Sequence, residues 1–222
     1  MKNIKGVLKR FTAISEGFTL VELLIVIALI AILSVAVLAT INPIEQTNKA
    51  RDSKFKNDSA EVLSAYERYY ASTNRYPWNV VGSTIPQNHR FAARSTSDYF
   101  GVVGSVGTTG ELIQTSELKS SFTGKEPFAT SVADQDAMYV YHNGRDSNYV
   151  CYCPKATANR SGPRQSELKC LMGTLDTVDG ASLENIGVNG CNTLPAGSNY
   201  SCAVGASGVA NLICVPEGNI SN

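Results

Sequence analysis

One stretch dominates the hydrophobic pattern. Residues 17–41 read GFTLVELLIVIALIAILSVAVLATI, with no polar side chain from Leu23 to Leu33. Glu22 is the only charge between Phe18 and Ile41. As a helix, this run of about 24 residues is about 36 Å long, enough to cross a hydrocarbon core of about 30 Å. After Asn42-Pro43 the pattern becomes amphipathic and continues to about Ser72. Phe55, Val62, Tyr66 and Tyr69 fall on one helical stripe, with Leu63 and Tyr70 beside it. Together the two halves would make a helix of about 50 residues, roughly 80 Å long. Pro43 either bends that helix or starts a second one. Asn74-Arg75-Tyr76-Pro77-Trp78 ends the pattern, because Pro77 disfavours helix at Tyr76.

Beyond Pro77 the pattern changes period. Residues 79–136 are glycine-interrupted and predict an irregular segment, with a short helix over Ser116–Ser121. Ala137–His142 alternates, with Met138, Val140 and His142 on one face and Tyr139 and Tyr141 on the other. Asn143-Gly144 is a hairpin signal, and Asn148–Cys153 reads as the return strand. Tyr200–Val204 and Asn211–Val215 are further strand candidates. An antiparallel sheet laid on the Phe55/Val62/Tyr66 stripe buries both surfaces. The expected fold is α+β: a long transmembrane-plus-amphipathic N-terminal helix packed on a C-terminal antiparallel sheet, followed by a disulfide-rich tail. Tyr76 and Trp78 are expected as core pieces against the helix. No internal repeat is visible.

Charge sets the orientation of the apolar run. Lys2, Lys5, Lys9 and Arg10 precede it, with Glu16 the only acid there. Basic flanks stay in the cytoplasm, so residues from about Asn42 onward are exported. The run is longer than a secretory-signal core and lacks a small-x-small cleavage site. A plain anchor explains its length but not Glu22, since a carboxylate in such a segment is costly.

Gly17-Phe18-Thr19-Leu20-Val21-Glu22, behind a short basic leader and ahead of the apolar run, resembles the start of type IV pilins and of the pseudopilins of type II secretion. The resemblance covers roughly residues 5–77. It implies that a prepilin peptidase cuts between Gly17 and Phe18 and N-methylates Phe18. It implies further that Glu22 pairs with the N-terminal amine of a neighbouring subunit during assembly. The implied partners are the protein itself, the peptidase, an inner-membrane platform protein, an assembly ATPase, and membrane lipid before assembly. The implied divisions are a leader (1–17), a membrane-spanning and filament-core helix (18–41), an amphipathic extension (42–73), and an exported head (74–222) whose cysteine-rich tail begins near residue 151. The precursor is then a single-pass inner-membrane protein with its N-terminus in the cytoplasm, and the product an extracellular pilus. A type II secretion pseudopilin, working in the periplasm, is the alternative within the family. A single-pass anchored binding protein is the alternative outside it.

The remaining chemistry adds little to that. Without residues 1–17 the chain holds 15 basic and 18 acidic side chains, a net of −3 that argues against a nucleic-acid surface. Lys49, Arg51, Lys54 and Lys56 cluster but are interrupted by acids, which predicts a solvated face with Glu45–Lys49 and Asp52–Lys56 pairs. Cys151, Cys153, Cys170, Cys191, Cys202 and Cys214 all lie within the last 72 residues. An even count in an exported domain predicts three disulfides, with Cys151 and Cys153 bonded to different partners. Connectivity stays open, and no CxxC supports zinc. Asp176, Asp179 and Glu184 around Gly180 lack EF-hand spacing and read as a solvated loop, so neither metal nor cofactor is assigned. His89 reads as a loop residue and His142 as part of the hairpin. No catalytic motif is present, so the chain is not read as an enzyme.

Overall fold

A computed structural model describes residues 17–40, 42–80, 85–104, 109–129, 132–145, 147–185, 202–205 and 208–218. Residues 1–16, Ile41, Cys191 and the start of the expected Tyr200–Val204 strand lie outside the described residues. Residues up to Pro43 form one unit and those from Ile44 another.

The first unit is helix α1, Leu20–Thr40. Its Leu20–Leu38 portion, 19 residues with a mean hydropathy of 3.0, is long and apolar enough to cross a membrane. Its two hydroxyls downstream of Glu22 bond back to the helix: Ser34 Oγ donates to Ile30 O (2.7 Å) and Thr40 Oγ1 to Val37 O (2.8 Å). That leaves them no unmet polar demand in an apolar medium. The second helix, α2, runs Pro43–Thr73. The chain therefore makes two helices instead of one bent helix. Pro43 occupies the first helical position, where its missing N–H is not needed.

α2 buries the expected stripe. Phe55, Val62 and Tyr66 are fully buried and Tyr69 nearly so, with Leu63 and Tyr70 packed at the margin. The stripe packs on an antiparallel sheet of seven strands: β1 (Arg90–Arg94), β2 (Met138–Asn143), β3 (Asn148–Tyr152), β4 (Lys169–Gly173), β5 (Ala181–Asn185), β6 (Ala203–Gly205) and β7 (Gly208–Val215). The order is β1-β2-β3-β7-β4-β5, with β6 also pairing to β7. Among the described strands, β7 is thus the only one that pairs with both the β1–β2–β3 half and the β4–β5 half.

The alternation predicted for 137–142 has its reason here. Met138 and Val140 face α2 with Phe91, Ala93, Val150, Tyr152 and Ile213. Tyr139 and Tyr141 face a second core with Ala92, Cys151, Leu171, Leu183, Leu212 and Cys214. The sheet curls around that second core. Asp176 N donates to Ala92 O (2.7 Å) and Asp179 N to Arg90 O (2.9 Å), so the β4–β5 turn meets the far edge at β1.

Trp78 centres the first core. It stacks on Tyr76 (centroids 4.6 Å) and Phe91 (5.3 Å), and Tyr66 meets it edge-on (5.4 Å). Tyr66 Oη donates to Phe100 O at 2.7 Å, satisfying a fully buried hydroxyl.

Three expectations need correction. Residues 79–136 are not wholly irregular, because β1 lies within them. Ser116–Ser121 is not a helix: a one-turn helix, α3, occupies Glu111–Gln114, Ser116 takes a positive φ of 63°, and a 3-10 turn follows at Ser120–Gly124. The tail is more than crosslinks, since β4, β5 and β7 pack with Ala92, Tyr139 and Tyr141 in the second core.

Candidate functional site

The segment carrying the candidate processing residues is built by its own local hydrogen bonds. Thr19 precedes the first helical residue, and Glu22 is the third residue of α1. Thr19 N donates to Glu22 Oε2 (2.9 Å), Thr19 Oγ1 donates to the same oxygen (2.7 Å), and Glu22 N donates to Thr19 Oγ1 (3.2 Å). This is a capping box, which satisfies two N–H groups that the start of a helix otherwise leaves unpaired. The Thr-x-x-Glu spacing was a legible signal of it, and Thr19 is the site residue that sequence reading missed.

Oε1 of Glu22 takes no bond among the described residues. Gly17 and Phe18 lie outside the helix and are exposed, Phe18 by 85%. A Cβ added to Gly17 would meet nothing within 4 Å, so the fold of this chain does not demand glycine there. Every large apolar side chain recorded along α1 is exposed, 82% at Leu20 and 71% at Leu38.

The base of α2 corrects the expected charged face. Asp52 is buried and does not pair with Lys56. It accepts from Lys155 N (2.8 Å), Ala156 N (2.9 Å) and Asn159 Nδ2 (2.8 Å). Glu45 accepts from Thr157 N (3.1 Å) and Ala158 N (3.2 Å). Two carboxylates of α2 thereby hold the entry of a one-turn helix, α4 (Thr157–Arg160). Partial desolvation opposes the charge of Glu45, but those N–H groups and Lys49 outweigh it and hold its carboxyl below the ordinary value. Arg51 is also inward, donating to Asp136 Oδ1 (2.7 Å) and Cys153 O (3.2 Å). Lys56 pairs instead with Glu217 at 2.6 Å. Asp52→Ala removes three acceptor contacts and leaves buried Ala156 N unpaired. It is expected to cost about 2–3 kcal/mol in chemical denaturation.

The cysteines divide as the shared strand face requires. Cys151 bonds Cys214 across the β3–β7 register, with Cα atoms 4.0 Å apart, and Cys153 bonds Cys202. Cys170 is disulfide-bonded as well.

The histidines and acids fall into structural roles. His142 is buried in the hairpin, with Nδ1 2.9 Å from Asn148 Oδ1 and Nε2 2.6 Å from Gln87 O. His89 Nδ1 lies 2.7 Å from Asp179 Oδ2 in an exposed pair. Asp176 Oδ1 accepts from Ser97 Oγ (3.0 Å), whereas Glu184 lies on β5 opposite Cys170. Among the described residues no group of three His, Cys, Asp or Glu gathers as a metal site. Burial pushes the Asp176 carboxyl up, the Ser97 bond opposes this, and the Asp98 charge adds to it. A raised folded pKa stabilises below the ordinary carboxyl value and loses that contribution as pH rises through it. Asp176→Asn is therefore expected to raise the denaturation midpoint slightly at neutral pH and not at about pH 4.

Comparison with known proteins places the motif. Residues 14–38 match the family description "Prokaryotic N-terminal methylation motif". No curated protein and no solved structure matches the chain. The matched stretch contains Gly17, Phe18, the Thr19–Glu22 cap and nearly all of α1. That motif, followed by an exposed apolar helix, is the signature of type IV pilins and pseudopilins.

Proposed function

We propose that the protein is the precursor of a subunit of a type IV pilus or related extracellular filament. The observation that carries this is α1, an apolar helix with its large side chains bare along its length. Lipid covers such a helix before assembly, and the helices of other copies cover it afterwards. Helix packing is then the whole of the chemistry, and no cofactor or catalytic group takes part.

In this reading the leader, residues 1–17, is cytoplasmic and α1 spans the inner membrane once. The exported part comprises α2 and the disulfide-braced head. A prepilin peptidase cuts between Gly17 and Phe18. Glycine at 17 meets the needs of that enzyme, since nothing in the chain's own fold requires it. Cleavage puts a positive amine at Phe18, next to the positive end of the helix dipole. A carboxylate must offset it, and Glu22 has Oε1 to offer. Pairing the Phe18 amine of one copy with Glu22 of its neighbour stabilises both charges only in the assembled filament. An inner-membrane platform protein and an assembly ATPase supply the extraction.

Intact mass of the chain from membranes tests the processing. The expected mass lacks residues 1–17 and carries one added methyl group. An intact leader would instead make the protein a single-pass anchored binding protein.

A further inference from the structure

The outward face of α2 carries a charge pattern that neither the methylation motif nor the head explains. Lys54, Glu61 and Arg68 are spaced by seven residues, so they lie on one stripe, two turns or about 10.5 Å apart. Their signs alternate, and all three are exposed. The face about 100° round the helix, through Phe55, Val62 and Tyr66, is covered by the sheet. Among the described residues, Glu61 has only Lys125 Nζ at 4.0 Å, and Lys125 already bonds Asp58 at 2.5 Å. Arg68 commits Nε and Nη2 to Glu117 (3.1 and 2.7 Å). Lys54 has no ion-pair partner among the described residues.

We propose that this stripe pairs with the α2 of a second copy displaced by seven residues, with Lys54 of one copy on Glu61 of the next and Glu61 on Arg68. The inference rests on the filament reading, because copies held by the same membrane span lie parallel. Parallel helices without displacement set Lys54 on Lys54 and Glu61 on Glu61. A fourteen-residue displacement sets Lys54 on Arg68. Only the seven-residue displacement brings opposite charges together at both levels, so the stripe specifies register as well as attraction. The bare face beside the stripe is short-chained at Asn57, Ala60, Ser64 and Ala71, which lets a second helix come within reach of Lys54 and Glu61.

The test uses full-length chains in filament-assembling cells, scoring sheared filaments by electron microscopy against membrane-held subunit. Lys54 has no ion-pair partner to lose among the described residues, so K54E is expected to leave the head intact. Both K54E and E61K are expected to yield about tenfold fewer filaments, from like charges juxtaposed at every interface. K54E/E61K/R68Q restores the Lys54–Glu61 pair with its signs exchanged and keeps position 61 off a like charge at 68. It is expected to recover to within about threefold of wild type. Wild-type yields from both K54E and E61K would overturn the pairing and leave the filament reading standing. A triple variant no better than E61K, at equal membrane-held subunit, would overturn it equally. A wild-type chain that makes no filaments overturns the filament reading, and the pairing falls with it.

Discussion

Glu22→Ala is expected to leave the chain in the membrane at normal levels while reducing filaments about a hundredfold or more. The two effects separate because the proposed function gives Glu22 a second role beside its local one. Its local role is the capping box with Thr19, which is worth about 1 kcal/mol at a helix start. Insertion does not depend on that contribution, because α1 is apolar throughout and replacing a carboxylate by a methyl group makes it more so. Its proposed assembly role is to offset the Phe18 amine inside an apolar bundle. Removing one partner of such a pair leaves a buried charge uncompensated, at a cost of about 3–5 kcal/mol, which corresponds to factors of a hundred to several thousand. Thr19→Ala separates the roles further. It breaks the cap but keeps the carboxylate, so filaments are expected to fall only a few-fold. Equal losses from the two variants, measured as sheared filaments against membrane-held subunit, would reduce Glu22 to a helix cap.

The second large effect is expected from C151A/C214A. The bond joins β3 to β7 at a sequence separation of 63. Opening a loop of that length restores chain entropy worth about 4 kcal/mol to the unfolded state. The position makes the loss matter structurally. Among the described strands β7 alone pairs with both halves of the sheet, and it faces α2 through Ile213 and the second core through Leu212 and Cys214. The full chain in detergent should unfold at clearly lower denaturant than wild type. C153A/C202A removes a loop of similar length, separation 49, but Cys202 lies just before the three-residue β6 and not in the joining strand. Its midpoint should fall less. The reverse ranking would mean that β7 holds its place without the disulfide.

Legibility in the sequence followed the strength of the local period. The α2 stripe, the α1 span, the Asn143-Gly144 hairpin and the strand at 211–215 stood out because apolar residues repeat there at helix or strand spacing. β4 and β5 did not, because KCLMG and ASLEN place Lys169 and Glu184 in buried positions where alternation is expected to show apolar residues. β1 was hidden by its arginine ends, RFAAR, and by the polar flanks Gln87-Asn88-His89 and Ser95-Thr96-Ser97. The capping box was visible as Thr-x-x-Glu, but the cost of a charge in an apolar run drew the reading toward an intermolecular role. The inward turn of Arg51 and Asp52 was out of reach. Their partners at Asp136 and Lys155–Asn159 come from segments some 85 to 107 residues away, and no local pattern encodes such a contact. For the same reason the sequence showed six cysteines without their pairing: register across β3 and β7 decides it, and that register is a property of the folded sheet.

The measurement that tests the central claim most directly is immunogold electron microscopy of intact cells, with antibody raised against residues 73–222. Gold along surface fibres, or at their tips, is the predicted result. Gold confined to the cell envelope, with no labelled fibre outside it, would contradict the extracellular filament and favour a subunit that works in the periplasm or stays in the membrane.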